Sequence, residues 1–264
     1  TSDAFIVDRL REKGAVILGK TNLSEWANYL CKACPNGYSA VGGQTLNPYG
    51  IRDFDTGGSS AGSGAAIAAN YAAAALGSET SGSILSPSST HALVGLKPTV
   101  GLLSRDGIVP ISSTYDTPGP MAKNVIDASI LLSAMKGEDP NDPITTGNSL
   151  ASEPKVTFAK KTFEGLRFGV NKQFLSDSLY KIATLKIKSL GGTLVEFEPK
   201  SVRLGNFGKV LDADMKIDLK NYLTRFGKSD LLPKSIDDVI HHNSADSLIR
   251  MPYSQGRLDG VYAS

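Results

Sequence analysis

The sequence predicts an α/β fold, and two stretches in which helical and extended patterns alternate support this prediction. In the first, the small-residue run at 61–70 is typical of a buried helix, and the apolar segment 72–77 follows it as a short strand. In the second, a strand at 166–170, a helix and a strand at 193–197 form a β-α-β unit. Both stretches fit one continuous α/β body.

The N-terminal residues predict a helix that Asp3 caps and that ends at Gly14. The apolar segment 15–18 then predicts a short strand. Neither an initiator methionine nor a signal peptide is visible before this helix, so the sequence predicts no particular cellular compartment.

The later elements follow from periodicity and composition. A helix around 125–135 presents one apolar face, made of Val125, Ala128, Ser129, Leu132 and Met135. Residues 138–154 are rich in Asp, Pro, Asn, Ser and Thr and predict a surface linker. The helix of the β-α-β unit stops at Gly191 and packs through Leu179, Ile182, Ala183, Ile187 and Leu190. Residues 211–264 are predicted to be mainly helical.

Composition excludes several classes of partner. The 264 residues are 41% hydrophobic and 20% charged, as is ordinary for a globular domain. Basic and acidic residues are interspersed and give a net charge of +2, so nucleic acid is not an expected partner. The longest apolar run, at 65–76, is shorter than the roughly 20 residues that span a bilayer, so no transmembrane helix is predicted.

Cys31 and Cys34 are the only cysteines, and their spacing would suit a redox pair or half of a zinc site. A structural zinc usually needs four ligands, and the three histidines lie far away in sequence, so no metal is expected. We interpret the pair as two thiols in an extended loop. A disulfide between them is the alternative for an exported protein.

Two turns rich in glycine and serine are the main functional signal. They cover 57–64 and 77–84, and Ser59 and Ser83 lie 24 residues apart. Such turns are usually ordinary loops, but a pair that flanks one small-residue helix favours a site. A serine becomes a nucleophile when a base takes its proton and backbone N–H groups stabilise the oxyanion. With Ser59 at a helix start and Ser83 beyond a strand, both are expected near one crevice.

These turns and their flanking blocks resemble the amidase signature family. The matching blocks occur in the order and spacing of that family at 19–27, 57–60, 82–84, 94–101, 104–107 and 116–120. Within the family, the peptide amidase branch is most similar. The blocks that resemble it are Glu25-Trp26-Ala27-Asn28, Gly42-Gly43-Gln44-Thr45 and Gly77-Ser78-Glu79-Thr80.

The resemblance implies an amidase signature fold, with a mixed β-sheet core flanked by helices on both faces. Residues 1–264 would form a single, incomplete domain of that kind. The implied activity is hydrolysis of a small-molecule or peptide amide without a cofactor. Tyr253-Ser254-Gln255-Gly256 resembles a late segment after which family members continue, so we expect the chain to be truncated at both ends.

The resemblance also assigns roles to residues at the motif positions. Ser83 would be the nucleophile and Ser59 the bridging serine, which a cis peptide bond joins to Gly58. Gly58 and Ser60 would support the bridging serine. The proton of Ser83 would pass through Ser59 to a neutral lysine and then to the leaving amine. The backbone N–H groups of the oxyanion hole would be those of Thr80, Ser81, Gly82 and Ser83.

The sequence departs from the family pattern at three points. The catalytic lysine of the family lies further upstream of the bridging serine than residue 1. Lys20 belongs to a different block and is interpreted as a surface lysine. Ser81 stands where the peptide amidase branch has Asp, and Leu85 stands where many members have Arg, so substrate selection is expected to differ.

Other functions remain as alternatives. The pattern Gly58-x-Ser60-x-Gly62 matches a nucleophile elbow, although no apolar strand precedes it. Its base would be one of His91, His241 and His242. Ser133 and Lys136 spell a Ser-x-x-Lys motif that helix packing explains better. The remaining alternatives are the glutamine-hydrolysing subunit of a tRNA-dependent amidotransferase and a non-catalytic scaffold with the amidase fold.

Overall fold

A computed structural model of the chain describes residues 2–147, 162–200, 205–227 and 233–264. The chain divides into two compact units. Unit 1 combines Thr1–Pro154 with Asn206–Ser264, and unit 2 is Lys155–Gly205. Each unit contains both helices and strands, which confirms the predicted α/β class.

Helix α1 spans Phe5–Glu12 and begins without a side-chain cap. The predicted cap is therefore wrong, because the Asp3 carboxylate accepts a hydrogen bond from Arg11 Nε at 2.6 Å instead. The helix stops just before Gly14, as predicted. Gly14 has a φ of +83°, a conformation that favours glycine at the end of a helix.

The strand predicted at 15–18 is wrong. Among the described residues this segment pairs with no other strand, and its apolar side chains Val16 and Leu18 are exposed. Apolar residues in a short run indicate a strand only when a neighbouring strand is there to pair with them, and the sequence pattern carries no information on that neighbour.

The strands and helices around the two serine turns follow in chain order. Their bounds are β1 Tyr38–Ser39, β2 Gly43–Gln44, α2 Ala61–Ala68, β3 Ala74–Glu79, α3 Leu85–Thr90, β4 Val94–Gly95 and β5 Thr117–Ala122. Strands β1 and β2 form a separate antiparallel pair.

Helix α2 and strand β3 confirm the helix and strand predicted between the two serine turns. The helix consists of small residues because a neighbouring segment approaches it closely. A Cβ atom on Gly62 would lie 2.5 Å from the backbone N and O of Asn22. The first serine turn therefore lies at the N-terminus of α2, and the second follows the C-terminus of β3.

Strand β3 belongs to an antiparallel sheet with the strand order β3-β5-β4. In this sheet Gly77 pairs with Gly119, and a Cβ on Gly119 would clash with the carbonyl oxygen of Leu96. The buried strand β5 forms the centre of this sheet in unit 1.

Helix α4 (Val125–Met135) is confirmed, and the side chain of Asn124 caps its N-terminus. Most of the predicted face packs inward, but Val125 at its start is exposed. The inward face meets α1 in one hydrophobic cluster. The buried members of this cluster are Ile6, Leu10, Leu103, Leu132 and Met135.

The segment predicted as a surface linker, 138–154, begins with residues that are packed into unit 1. Of its described part, Pro143–Thr145 forms a short 3-10 helix, and Asp139 and Asp142 are buried. Asp139 Oδ2 accepts a hydrogen bond from Ser104 Oγ at 2.5 Å. Most of the described part is exposed, while the buried side chains of Asp139, Asp142 and Thr145 anchor it in unit 1, so the surface linker stays a prediction. Residues 148–154 lie outside the described residues.

Unit 2 contains the predicted β-α-β arrangement, with the bounds β6 Arg167–Asn171, α5 Ser178–Ser189 and β7 Thr193–Phe197. Strands β6 and β7 are parallel, and helix α5 connects them. The side of α5 that was predicted to pack is largely exposed, as at Leu179 and Ile182, and Thr184 is the buried residue. The reason is that a sheet of two described strands is too narrow to cover the whole apolar side.

The C-terminal part of unit 1 is helical over its described residues, as predicted. Its helices are α6 Phe207–Phe226, α7 Ile236–Ser244, α8 Ser247–Arg250 and α9 Gly256–Ala263. Helices α6, α7 and α9 share a core cluster with residues 29–31, centred on the fully buried Met215, Leu219 and Leu258. No helix in the described parts of the chain is long and apolar enough to cross a membrane.

Candidate active site

Ser59 immediately precedes the N-cap of α2 and is completely buried. The peptide bond between Gly58 and Ser59 is cis, as predicted. The carbonyl oxygen of Ser59 accepts hydrogen bonds from the backbone N–H of Ser24 at 3.0 Å and of Ala61 at 2.8 Å. The first bond fixes the Ser59 backbone to the segment around Ser24, and the second is a local bond within the serine turn.

Gly58 has no room for a side chain. A Cβ atom at this position would lie 2.6 Å from Asn36 Oδ1, 2.8 Å from Asn28 Nδ2 and 2.9 Å from Ser24 Oγ. The close approach of these polar groups explains why glycine precedes Ser59.

Ser60 joins the two predicted serine turns. Its backbone N–H donates to the carbonyl oxygen of Ser83 at 3.1 Å. Its hydroxyl group contacts β3, where it accepts from the backbone N–H of Ser78 at 3.1 Å and lies 3.2 Å from the Ser78 carbonyl oxygen. The structure therefore brings both turns together, and the Ser60 hydroxyl is engaged with the sheet.

The expected hydrogen bond between the hydroxyl groups of Ser59 and Ser83 is not present. Ser59 Oγ is buried and has no hydrogen-bond partner among the described residues. The two turns meet through backbone atoms, since the Ser60 N–H and the Ser83 carbonyl make the contact. That expectation is corrected, although Ser59 is enclosed by protein and does not point into solvent.

The loop that carries Ser83 is held closed by Glu79, a buried residue at the end of β3. Glu79 Oε2 accepts from the backbone N–H of Ile84 at 2.8 Å and of Leu85 at 3.0 Å. Hydrogen bonds to an ionised acceptor are stronger than neutral ones. Sequence reasoning missed this residue, although an acidic side chain four residues before the candidate nucleophile and next to a short helix was a usable signal.

Asp116 holds the same loop from the other side. Its Oδ1 accepts from Thr80 Oγ1 at 2.5 Å, and its Oδ2 accepts from the backbone N–H of Ile111 at 2.7 Å and of Ser112 at 2.8 Å. Burial raises the pKa of the Asp116 carboxyl, and the hydrogen bonds from Thr80 and the backbone oppose that rise. The sequence placed Asp116 in a family block but assigned it no role.

The loop from Thr80 to Ser83 presents unused backbone donors. Within the described chain, the N–H groups of Ser81, Gly82 and Ser83 donate to no protein acceptor. Gly82 has a φ of +92°, which lets consecutive N–H groups turn toward one side. Such a set of donors can stabilise a developing negative charge on oxygen.

The histidines do not form a catalytic triad with Ser60. His91 Nδ1 contacts the carbonyl oxygen of Pro87 at 2.8 Å, and burial lowers the pKa of the ring against the opposing effect of that hydrogen bond. His241 and His242 are exposed on α7. The nucleophile-elbow alternative is therefore wrong, because the Ser60 hydroxyl group contacts Ser78 and no imidazole.

The two lysines singled out by sequence lie outside the site. Lys20 is exposed, as predicted for a surface lysine. Lys136 follows α4, and its Nζ is buried without a hydrogen-bond partner in the described part of the chain, so it makes no hydrogen bond to Ser133.

Cys31 and Cys34 form a disulfide, so the interpretation as two free thiols is wrong. Cys31 is buried in the core cluster of the C-terminal helices, and Cys34 is partly exposed. No group of three or more potential metal ligands occurs among the described residues.

A cavity of about 240 Å³ adjoins the loop before Ser83. Its wall includes Thr80 and two arginines, and each arginine is paired with a carboxylate. Arg105 contacts Asp142 at 2.6 Å, and Arg225 contacts Asp106 at 2.6 Å. Burial would raise the pKa of Asp142, but hydrogen bonds and charge from Arg105 outweigh it and hold the pKa below its usual value.

Comparison with known proteins gives a consistent result. The family described as Amidase matches residues 1–251. A probable amidase of Arabidopsis thaliana is 41% identical over 250 residues, which are 91% of this chain and 48% of the relative. A glutamyl-tRNA(Gln) amidotransferase subunit of Microcystis aeruginosa is 40% identical over 211 residues, which are 77% of this chain and 42% of that protein.

Among solved structures, the native peptide amidase of Stenotrophomonas maltophilia superimposes with a TM-score of 0.89 at 39% identity. The match covers 100% of this chain and 55% of that protein. The chain therefore spans about half the length of the relatives that it resembles.

Proposed function

The chain belongs to the amidase family, and from this premise we propose that it is the nucleophile-bearing part of an enzyme that hydrolyses peptide-like carboxylic amides. One observation carries the proposal. The backbone hydrogen bond from the Ser60 N–H to the Ser83 carbonyl oxygen places the two serine turns side by side, next to a loop with unused N–H donors.

In the proposed reaction, Ser83 Oγ attacks the carbonyl carbon of the amide and forms a tetrahedral intermediate. Backbone N–H groups of the loop from Thr80 to Ser83 bind its oxyanion. Ser59 takes the proton of Ser83 and passes it through a lysine to the leaving amine, and the C–N bond breaks to give an acyl-enzyme on Ser83. A water molecule then attacks the acyl group and transfers a proton to the same base. The bond between the acyl carbon and Ser83 Oγ breaks, the base returns the proton to Ser83 Oγ, and the carboxylic acid is released.

The base in this proposal is a lysine upstream of residue 1. The buried Ser59 hydroxyl supports it, because a buried polar group without a protein partner is uncommon and suits a position where a further side chain hydrogen-bonds. A lysine in such an enclosed place would lose hydration, which lowers its pKa and lets it accept a proton. Lys20 does not suit this role because it is exposed.

A second candidate function is the glutamine-hydrolysing subunit of a tRNA-dependent amidotransferase, which the 40% identity to an amidotransferase subunit favours. The blocks at 25–28 and 42–45 and the structural similarity to a peptide amidase support the amide hydrolase more strongly. A non-catalytic scaffold is the third candidate, and retention of both serine turns counts against it.

The cavity beside the loop leads to a prediction on substrate choice. Its two arginines are both paired with carboxylates, so among the described residues no unpaired cation lines the cavity for bidentate capture of a substrate carboxylate. We expect the active, longer protein to hydrolyse an amidated dipeptide at least about tenfold more efficiently than free glutamine. The carboxylate of glutamine would find no cation here, and one missing charge-assisted hydrogen bond can account for such a factor. The measurement is kcat/KM for ammonia release from each substrate.

A matched control is the same dipeptide amide with a carboxylate on the side chain nearest the scissile bond, which should be the poorer substrate. A strong preference for free glutamine would instead favour the amidotransferase function. Absence of hydrolysis of either substrate would favour the scaffold.

A further inference from the structure

The segment from Asn28 to Asn36, which we call the cysteine loop, is closed twice. Asn28 Nδ2 donates to Asn36 Oδ1 at 3.0 Å at the mouth of the loop, and the Cys31–Cys34 disulfide closes its interior. The mouth lies next to the first serine turn, since a Cβ on Gly58 would lie 2.6 Å from Asn36 Oδ1 and 2.8 Å from Asn28 Nδ2. A covalent bond within this loop therefore lies close to the residue that precedes Ser59.

The two halves of the cysteine loop are held differently. The first half is anchored in the helical core, because Cys31 is buried there and the carbonyl oxygen of Leu30 accepts from the backbone N–H of Arg257 at 3.1 Å. Cys34 packs against the edge of the same core cluster and is only partly buried, and exposed Lys32 and Ala33 precede it. The disulfide thus ties the less buried half to an anchored half.

The less buried half leads directly to Asn36. Asn36 contacts Asn28 and Asp55 through its side chain, and Gln44 donates to its carbonyl oxygen at 2.6 Å. A shift at Cys34 would be transmitted over two residues to the Asn36 side chain that packs on Gly58.

We propose that the Cys31–Cys34 disulfide is a redox-sensitive positioning element of the active site. In the oxidised state it holds Asn28 and Asn36 against Gly58 and thereby fixes Ser59 relative to Ser83. In the reduced state the half that contains Cys34 is released and the alignment of the two serines is lost. The catalytic part of this inference rests on the proposed function, whereas the structural part does not.

The redox step is a two-electron exchange with a dithiol. One thiolate of the reagent attacks Sγ of Cys34, the less buried of the two cysteines, and the bond to Cys31 Sγ breaks. The Cys31 thiolate that leaves takes up a proton. The second thiol of the reagent then attacks the mixed disulfide, so that Cys34 is released as a thiol and the reagent ends as a cyclic disulfide.

The first experiment follows the loop itself in the 264-residue chain. Trp26 is the only tryptophan and packs against the cluster that holds Cys31, and the two cysteines are the only ones in the sequence. On titration with dithiothreitol, we expect two thiols to appear and the Trp26 emission to change with the same midpoint. The Cys31→Ser/Cys34→Ser variant is the control and should show no change in emission.

The second experiment uses the active, longer protein. Because small misplacement of reacting groups is costly, reduction is expected to lower kcat about tenfold with little change in KM, and reoxidation should restore it. The double serine variant should have the lower kcat under both conditions. Far-UV circular dichroism and the melting temperature separate this outcome from general unfolding. Unfolding would change kcat, KM, the circular dichroism signal and the melting temperature together.

Three results would overturn the inference. They are two free thiols before any reductant is added, thiol release without a change in Trp26 emission, and a kcat that is equal in both redox states. If the oxidised enzyme hydrolyses no amide at all, the proposed function fails, and the Trp26 titration then decides the inference alone.

Discussion

Replacing Ser83 with alanine in the active, longer protein is expected to abolish both amide turnover and covalent labelling by a fluorophosphonate. The substitution removes the atom that attacks the carbonyl carbon and leaves the unused N–H groups of the 80–83 loop in place. For serine hydrolases, loss of the nucleophile costs about 10⁴-fold or more in kcat, so turnover should fall to the level of the assay background. Ammonia release and mass spectrometry of the labelled peptide measure the two effects.

Ser60→Ala is the matched control, since it removes one hydroxyl from the adjoining turn. The Ser60 hydroxyl contacts the backbone of Ser78, and its backbone N–H still reaches the Ser83 carbonyl in the alanine variant. We therefore expect this variant to retain part of the activity and all of the labelling at Ser83. Labelling that survives in Ser83→Ala and disappears in Ser60→Ala would show that the nucleophile has been assigned to the wrong serine.

The elements around the two serines could be predicted from sequence because local constraints determine them. Small residues along α2 follow from the close approach of Asn22. The cis bond before Ser59 was expected only from the resemblance to the amidase signature family. Elements that depend on distant partners could not be predicted. The segment 15–18 has the composition of a strand but, among the described residues, no strand beside it, and Asp3 finds Arg11 instead of the helix N-terminus.

Within the site, too, contacts between residues that are far apart in sequence could not be predicted. Glu79 and Asp116 hold the loop from Thr80 to Ser83 from different sides, yet a single carboxylate in a sequence does not reveal which N–H groups it accepts from. Asp116 and Thr80 are 36 residues apart, and their contact depends on the pairing of β3 with β5. The spacing of Cys31 and Cys34 allows a disulfide but does not predict it, because spacing in sequence does not fix the distance between two cysteines.

The proposed upstream lysine leads to the second large effect. The 264-residue chain alone is expected to be nearly inactive even when folded, whereas a longer protein that restores the upstream segment should hydrolyse a C-terminal peptide amide. Without a base, Ser83 stays protonated at neutral pH, and positioned proton transfer contributes about 10²–10⁴-fold to the rate. The N–H groups of the loop from Thr80 to Ser83 would remain, so we expect weak residual turnover from oxyanion stabilisation.

The comparison needs two controls, because a shortened chain can lose activity for a reason other than a missing base. Circular dichroism and the Trp26 emission report whether the short chain is folded around the two serine turns, since Trp26 packs against the core cluster that contains Cys31. The second control is Lys20→Ala in the longer protein. Lys20 is the lysine of this sequence that lies upstream of Ser59 in a family block, and because it is exposed the substitution should leave kcat unchanged.

If the folded short chain hydrolyses the amide as fast as the longer protein, the base lies within residues 1–264. A simultaneous loss of activity in Lys20→Ala would then identify Lys20 as that base. The proposal that a lysine upstream of residue 1 accepts the proton from Ser59 would then be wrong.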